Sequence, residues 1–268
     1  MKHLKRGYGL DDQGFIKSDV SLDKVDSIYK PCIEDTVERL KQSFETELHS
    51  VYLYGSVARG DATPVKSDLD LIAIFNQPLN QNRLTELKQL QLELTKKYRH
   101  LLREVGIASD HIEAVMMPSK YYDNAFIQAL SVCLYGEDLG ESFGPYPLTA
   151  DIPLSFNGDI SNFYKKMLPQ LKTANVEDLP TLTEKISRKL IRTFYSMVMI
   201  RAQIWTTKLH EQADVFLHYF PMKTAVVETL LNWLDEPPLE KEIVYDLFEK
   251  EGKWASTNFE KEAVKTIE

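Results

Sequence analysis

The sequence predicts an α/β fold: an N-terminal domain built on a small mixed sheet with helices, followed by an all-α helical bundle. Three observations carry this reading. Two short apolar stretches of strand character, Ser50–Tyr54 and Asp68–Phe75, flank a loop rich in Gly, Asp and Pro. Stripes of helical period stand on either side of that pair. Beyond residue 158 only helical periodicity remains.

Residues 1–34 mix turn signals (Gly7, Gly9, Gly14, Pro31) with short apolar pieces, and they read as an extension packed on the first domain. From Asp35 the pattern becomes regular. Val37, Leu40, Phe44 and Leu48 recur at helical spacing, with Asp35 or Thr36 as N-cap. Ser50 to Tyr54 then reads as a buried strand ending at Gly55. Asp68 to Phe75 alternates with period two before running apolar. Leu84, Leu87, Leu94, Tyr98, Leu101 and Leu102 mark a helix from about Asn82 to Glu104, stopped by Gly106. His111–Met117, closed by Pro118, reads as a third strand. The first domain is therefore expected over residues 35–140. A linker rich in Gly and Pro follows over 141–158, then a helical domain over 159–268. Its helices are expected near 159–173, 181–206, 208–219, 222–234, 238–250 and 257–267.

Composition narrows the function classes. The hydrophobic share of 43% and charged share of 27% suit a globular chain with a sizeable core. No stretch nears the ~20 apolar residues that span a bilayer, so no membrane association is expected. Met1–Phe15 has basic residues but no apolar run, so it does not read as a secretory signal. Only Cys32 and Cys133 occur, in no metal-binding or redox spacing, and the expected compartment is the cytoplasm. The formal charge of −8 argues against a nucleic-acid partner, which needs clustered Lys and Arg. Residues 1–154 hold 23 acidic against 17 basic side chains, so most of the negative excess lies in the half with the carboxylate motif.

That motif is Leu53-Tyr54-Gly55-Ser56-Val57-Ala58-Arg59-Gly60, then Ser67-Asp68-Leu69-Asp70-Leu71. Gly55 ends a strand, where a residue lacking Cβ permits a sharp turn and close approach of a ligand. Ser56 follows at the start of a helical turn, where free N–H groups and a hydroxyl can hold phosphate oxygens. Asp68 and Asp70, one residue apart on a strand, face the same side. Two carboxylates so placed repel unless a cation sits between them, and Mg²⁺ accepts a few carboxylates together with substrate phosphates. Taken singly, Gly55-Ser56 reads as a turn and Asp-x-Asp as a solvated strand end. Their joint spacing points to metal-assisted chemistry at a nucleotide phosphate.

This stretch resembles the DNA polymerase β-like nucleotidyltransferase superfamily, whose signature is Gly-Ser, about a dozen residues, then Asp-x-Asp; the gap here is 11 residues. The resemblance implies a third carboxylate on a later strand that ligates metal, serves as base, or both. Ile112-Glu113-Ala114-Val115 supplies it as Glu113, with Asp110 as the alternative if that strand starts earlier. It further implies ATP as donor, two Mg²⁺ ions, and Gly55, Ser56 and Ser67 at the nucleotide. Arg59 reads either as a phosphate contact or as an ion pair with Asp61.

The layout is similar to the streptomycin/spectinomycin adenylyltransferases, enzymes of antibiotic resistance, over roughly residues 35–250. In the C-terminal half the likeness rests on Arg192-Thr193-Phe194-Tyr195-Ser196 and on Asp214. It implies that the helical domain selects the acceptor, with Asp214 in the acceptor cleft. His210 stands one turn earlier, where those enzymes carry a second acid. Lys185, Arg188, Lys189 and Arg192 share one basic helix face, which reads as a solvated face, or as partly reaching a triphosphate together with Lys223. Trp205 and Trp233 read as core. The activity implied is transfer of AMP from ATP to a hydroxyl of a small-molecule acceptor such as an aminoglycoside. Its rivals are AMPylation of a partner protein and a catalytically silent nucleotide-binding module.

Overall fold

The structure, a computed structural model, describes residues 4–266. Residues 1–3 of the expected extension and 267–268 of the expected helical domain lie outside the described residues. The chain forms two compact units: residues Lys17–Tyr146, and residues up to Ile16 together with those from Pro147 onward.

The first unit carries a four-stranded mixed sheet in the order β3-β2-β1-β4. Its strands are β1 (Leu48–Tyr54), β2 (Leu69–Phe75), β3 (Val105–His111) and β4 (Ser131–Gly136). β1 runs antiparallel to β2 and β4, and β2 runs parallel to β3. Helices α1 (Lys30–Phe44) and α3 (Gln81–Tyr98) belong to the core on one face of the sheet. Leu40, Phe44, Leu53, Leu71 and Leu94 are at most 1% exposed there; each large side chain so buried contributes about 2 kcal/mol. The opposite face holds a smaller cluster of Tyr52, Ile74, Val115, Ile127 and Leu139. The Tyr52 hydroxyl pins it by accepting the Leu139 N–H at 2.7 Å.

Several boundaries differ from the sequence expectation. α1 starts at Lys30, because Pro31 suits a first helical turn that needs no N–H donor. α3 is capped by Asn80, whose side chain accepts the N–H groups of Asn82 and Arg83, and it ends at Tyr98. Gly106 is not its stop but a residue of β3. The third strand itself is Val105–His111, and the expected His111–Met117 strand is instead the short helix α4 (Ile112–Val115). Between them, α2 (Gly55–Arg59) turns off the end of β1, and α5 (Ala125–Leu130) leads into β4.

The second unit is helical: α6 (Asp151–Asn157), α7 (Ile160–Thr173), α8 (Leu179–Ser196), α9 (Met199–Ala202), α10 (Leu209–Tyr219), α11 (Thr224–Asn232) and α12 (Lys241–Ala263). The expected linker thus contains a helix, α6. The expected 181–206 helix is broken after Ser196, and α9 ends at Gln203 in a left-handed conformation, φ 49°. The helices expected at 238–250 and 257–267 are one helix. Gly252 lies inside it because the Tyr164 ring of α7 packs there; a Cβ would sit 2.7 Å from Tyr164 Cδ2. Phe194 and Phe216 stack at 4.7 Å, Trp254 meets Phe194 edge-on, and Trp205 and Trp233 are buried as expected.

The extension divides. Its residues up to Ile16 belong to the helical unit, not to the first domain. Gly7 donates to the Gln203 carbonyl, Trp205 donates to the Tyr8 carbonyl, and Leu4, Leu10 and Ile16 are buried. Gly9 is required at φ 73°, since a Cβ would lie 2.1 Å from the Trp205 oxygen.

Candidate active site

β1 ends at Tyr54, and the chain leaves it through Gly55 at φ 78°, a left-handed turn open to glycine. Tyr54 pairs with Asp70 across the antiparallel ladder, which brings the Asp70 carboxylate against that corner. A Cβ on residue 55 would lie 2.4 Å from Asp70 Oδ2. Asp70 therefore faces Gly55 and the first turn of α2, with Ser56 beside it. Asp68 stands one residue before β2.

The loop between α2 and β2 is held by its own hydrogen bonds. Thr63 N–H donates to the Ser67 hydroxyl at 2.9 Å, and Ser67 N–H donates back to the Thr63 carbonyl at 2.9 Å. Ser67 thus has a structural task in this turn. Backbone bonds from Arg103 N–H to the Ser67 carbonyl (3.0 Å) and from Leu69 N–H to the Glu104 carbonyl (2.9 Å) continue the β2–β3 ladder past Asp68. They bring Arg103 beside Asp68. Its Nε donates to Oδ1 at 2.9 Å and its Nη2 to Oδ2, so both carboxylate oxygens are engaged. Arg103 was not singled out by the sequence; its partner lies 35 residues away, and no local pattern marks the pair.

The third carboxylate does not fall where the sequence expected it. Glu113 is exposed, on α4 rather than on a strand. Asp110, the alternative, is on β3 and on the same face as Asp70, but its register partner is Ile74. The partner of Asp70 is Gly106, four residues earlier, which puts Asp110 about 13 Å farther along the strand at 3.3 Å per residue. A Cβ on Gly106 would stand 3.5 Å from Asp70 Oδ1, so the strand position beside Asp70 carries no side chain. Among the described residues, no group of three or more His, Cys, Asp and Glu could hold a metal ion. The Asp70 carboxylate at a corner that a Cβ would fill, with Asp68 two residues before it, suits Mg²⁺, a hard cation that takes one or two carboxylates and completes its shell with water and phosphate oxygens.

The other expected nucleotide contacts are engaged elsewhere. Arg59 Nε donates to Asp61 at 3.3 Å, the ion-pair reading. Lys223 pairs with Glu251 at 2.5 Å and lies 4.2 Å from the Trp254 ring centre. The hollow of about 340 Å³ beside Lys223 is lined by helical-unit residues alone, including Lys250, Lys253 and Trp254. On the basic face of α8, Lys189 meets Asp159 and Arg188 meets Glu184, while Lys185 and Arg192 are exposed. His210 and Asp214 are exposed on α10 one turn apart. Among the described residues no helix is long and apolar enough to cross a membrane.

Comparison with known proteins bears on the fold and on one stretch of the sequence. No curated protein matches the sequence. Among solved structures the chain is similar to the spectinomycin adenyltransferase AAD(9) from Enterococcus faecialis, crystallised with ATP and spectinomycin. The identity is 15% and the TM-score 0.55, covering 84% of this chain and 98% of that one, a likeness of fold. Residues 33–119 match the family model described as "Nucleotidyltransferase domain". The matched stretch holds the Gly55 corner, Asp68 and Asp70.

Proposed function

We propose that this chain transfers AMP from ATP to a hydroxyl of a small aminoglycoside-like acceptor, releasing pyrophosphate, with magnesium bound at Asp68 and Asp70. The observation that carries the reading is the Asp70 carboxylate set against a left-handed Gly55, within the stretch that matches a nucleotidyltransferase-domain model. Likeness to a fold crystallised with ATP and spectinomycin supports the donor and the acceptor class.

In the transfer, the acceptor hydroxyl gives up its proton to water, its oxygen bonds to the α-phosphorus, the bond from that phosphorus to the bridging oxygen breaks, and pyrophosphate departs with the electron pair. Bound magnesium supplies charge neutralisation at the phosphates. Gly55 gives the phosphates room to approach the backbone, and the N–H groups and hydroxyl at Ser56 offer donors to them. Asp68 and Asp70 would hold the cation. The resemblance assigns acceptor binding to His210 and Asp214 on α10, where the Asp214 carboxylate would attract amino groups. Because the position beside Asp70 is Gly106, Glu113 loses the strand placement on which its role as base rested.

The test is incubation with Mg-ATP and a panel of aminoglycosides, aminocyclitols and lincosamides, scored by mass. Gain of one AMP on one compound, with matching pyrophosphate, is the expected result. Label from ATP appearing on a protein instead would replace the acceptor class.

A further inference from the structure

The steps proposed for the transfer leave the hollow beside Lys223 unused. At about 340 Å³ it falls within the size range of small-molecule sites, about 300–1,000 Å³. α12 supplies most of its lining. Lys250, Lys253, Trp254 and Thr257 stand at i, i+3, i+4 and i+7, so they share one helix face. Trp254 gives the hollow its aromatic wall. Phe194 and Phe220 each meet the Trp254 ring edge-on with centres 5.7 Å apart, which holds that ring in place. Lysine stems add apolar surface below their charged tips.

The charges around this wall do not balance. Lys223 is neutralised by buried Glu251. Lys250 and Lys253 are exposed, and neither is ion-paired among the described residues. The Thr257 hydroxyl and the Asn258 amide donate to the Lys253 and Trp254 carbonyls of their own helix. The hollow thus offers two uncompensated cations beside a fixed aromatic face, and its acid is already paired. A hydrated inorganic ion would gain from the cations but not from the ring. A neutral ring would gain from the wall but not from the cations. A ligand that carries both parts gains from both.

We propose that this hollow binds a small planar aromatic anion, a ring bearing a carboxylate, with the ring against Trp254 and the carboxylate toward Lys250 and Lys253. The site is separate from the Gly55 corner in its residues, since everything that lines it belongs to the helical unit.

The probe is 2-naphthoate, titrated into the full chain and followed by ligand-observed nuclear magnetic resonance, beside the neutral 2-naphthylmethanol. Naphthoate is expected to bind, and each of Lys250→Glu and Lys253→Glu to weaken it at least about threefold at low salt. The alcohol is expected to bind at least about fivefold more weakly than the acid, and excess inorganic phosphate to leave the naphthoate in place. Both lysines are exposed, so the variants keep the wild-type urea midpoint to within about 0.5 kcal/mol. Absence of naphthoate binding, an affinity that neither reversal moves, or equal binding of the alcohol overturns the proposal. Loss of naphthoate binding in Asp70→Asn also overturns it, because the ligand would then sit at the carboxylate corner. Failure of the transfer reaction leaves these expectations intact, since none of them needs metal or nucleotide.

Discussion

Gly55 and Asp70 claim the same volume: the methyl that an alanine would place at residue 55 lies 2.4 Å from Asp70 Oδ2. The corner therefore needs glycine twice, for its backbone sign and for the carboxylate it abuts. Gly55→Ala is expected to cost at least about 1 kcal/mol from the left-handed φ alone. It should also displace Asp70 and weaken Mn²⁺ binding. Urea denaturation and metal titration read the two effects, and an unaltered metal affinity would separate Asp70 from the corner.

Asp70→Asn is expected to lower Mg²⁺- and acceptor-dependent pyrophosphate release by at least about a hundredfold, or about 2.7 kcal/mol of transition-state stabilisation. The fold should persist, since Asn keeps the shape of the side chain against the Gly55 corner. A urea midpoint that stays level or rises, beside lost turnover, is the expected outcome; retained turnover refutes the assignment.

Glu251 is buried, with its side chain 2% exposed and Lys223 as its ion-pair partner. Lys223→Met would leave that carboxylate uncompensated, at a cost of about 3–5 kcal/mol. Adding Glu251→Leu is expected to restore most of the loss, because the hole is then apolar on both sides. Urea midpoints of the two single variants and the double variant check it, and additive losses would contradict it.

Burial pushes the Cys32 thiol from 9.0 up to about 11, and the side chain is fully enclosed on α1. Cys133 is also raised, chiefly by burial, but it is only partly covered. At pH 8 a thiol-reactive disulfide is expected to modify Cys133 slowly and Cys32 only after unfolding. Mass analysis of the modified peptides decides.

At Asp35, burial opposes ionisation, but hydrogen bonds from Lys97 and Tyr98 outweigh it and hold the carboxyl below its ordinary 3.8. The folded state therefore binds the proton less tightly than the unfolded one. The stabilisation is present above pH 3.8 and disappears as pH falls through the folded value. Asp35→Asn should be less stable than wild type near pH 6, with the gap closing below pH 3.8. A gap that widens in acid would reverse the sign.

The glycine corner and the two aspartates were legible because their logic is local: a strand end, a turn, and period-two alternation all lie within 16 residues. β3 was not. Only Val105 and Ile107 of that strand are buried, while Ala108 to Asp110 are exposed, so it lacks the apolar alternation that marks β2. Ile112 and Val115, three apart, carried the apolar signal instead, and they serve a single helical turn packed on the far face of the sheet. The resulting slip of six residues removed Glu113 from the strand and hid Gly106 beside Asp70. β4 was missed because most of its side chains are only partly buried. The Arg103–Asp68 pair depends on parallel register between distant strands, which no local pattern encodes. The continuous α12 escaped because Gly252 reads as a breaker until Tyr164 is seen against it.

Because the stretch ending at Ile16 is stitched to Gln203 and Trp205, the helical unit is discontinuous in the chain. During synthesis, residues 17–146 can complete their sheet as they emerge, whereas the stretch ending at Ile16 has to wait for partners made some two hundred residues later. Expression of 147–268 alone would lack the apolar plug of Leu4, Leu10 and Ile16, leaving a greasy furrow around Trp205. A permutant that links residue 266 to residue 4 and opens the chain near residue 17 would turn that unit into one uninterrupted stretch.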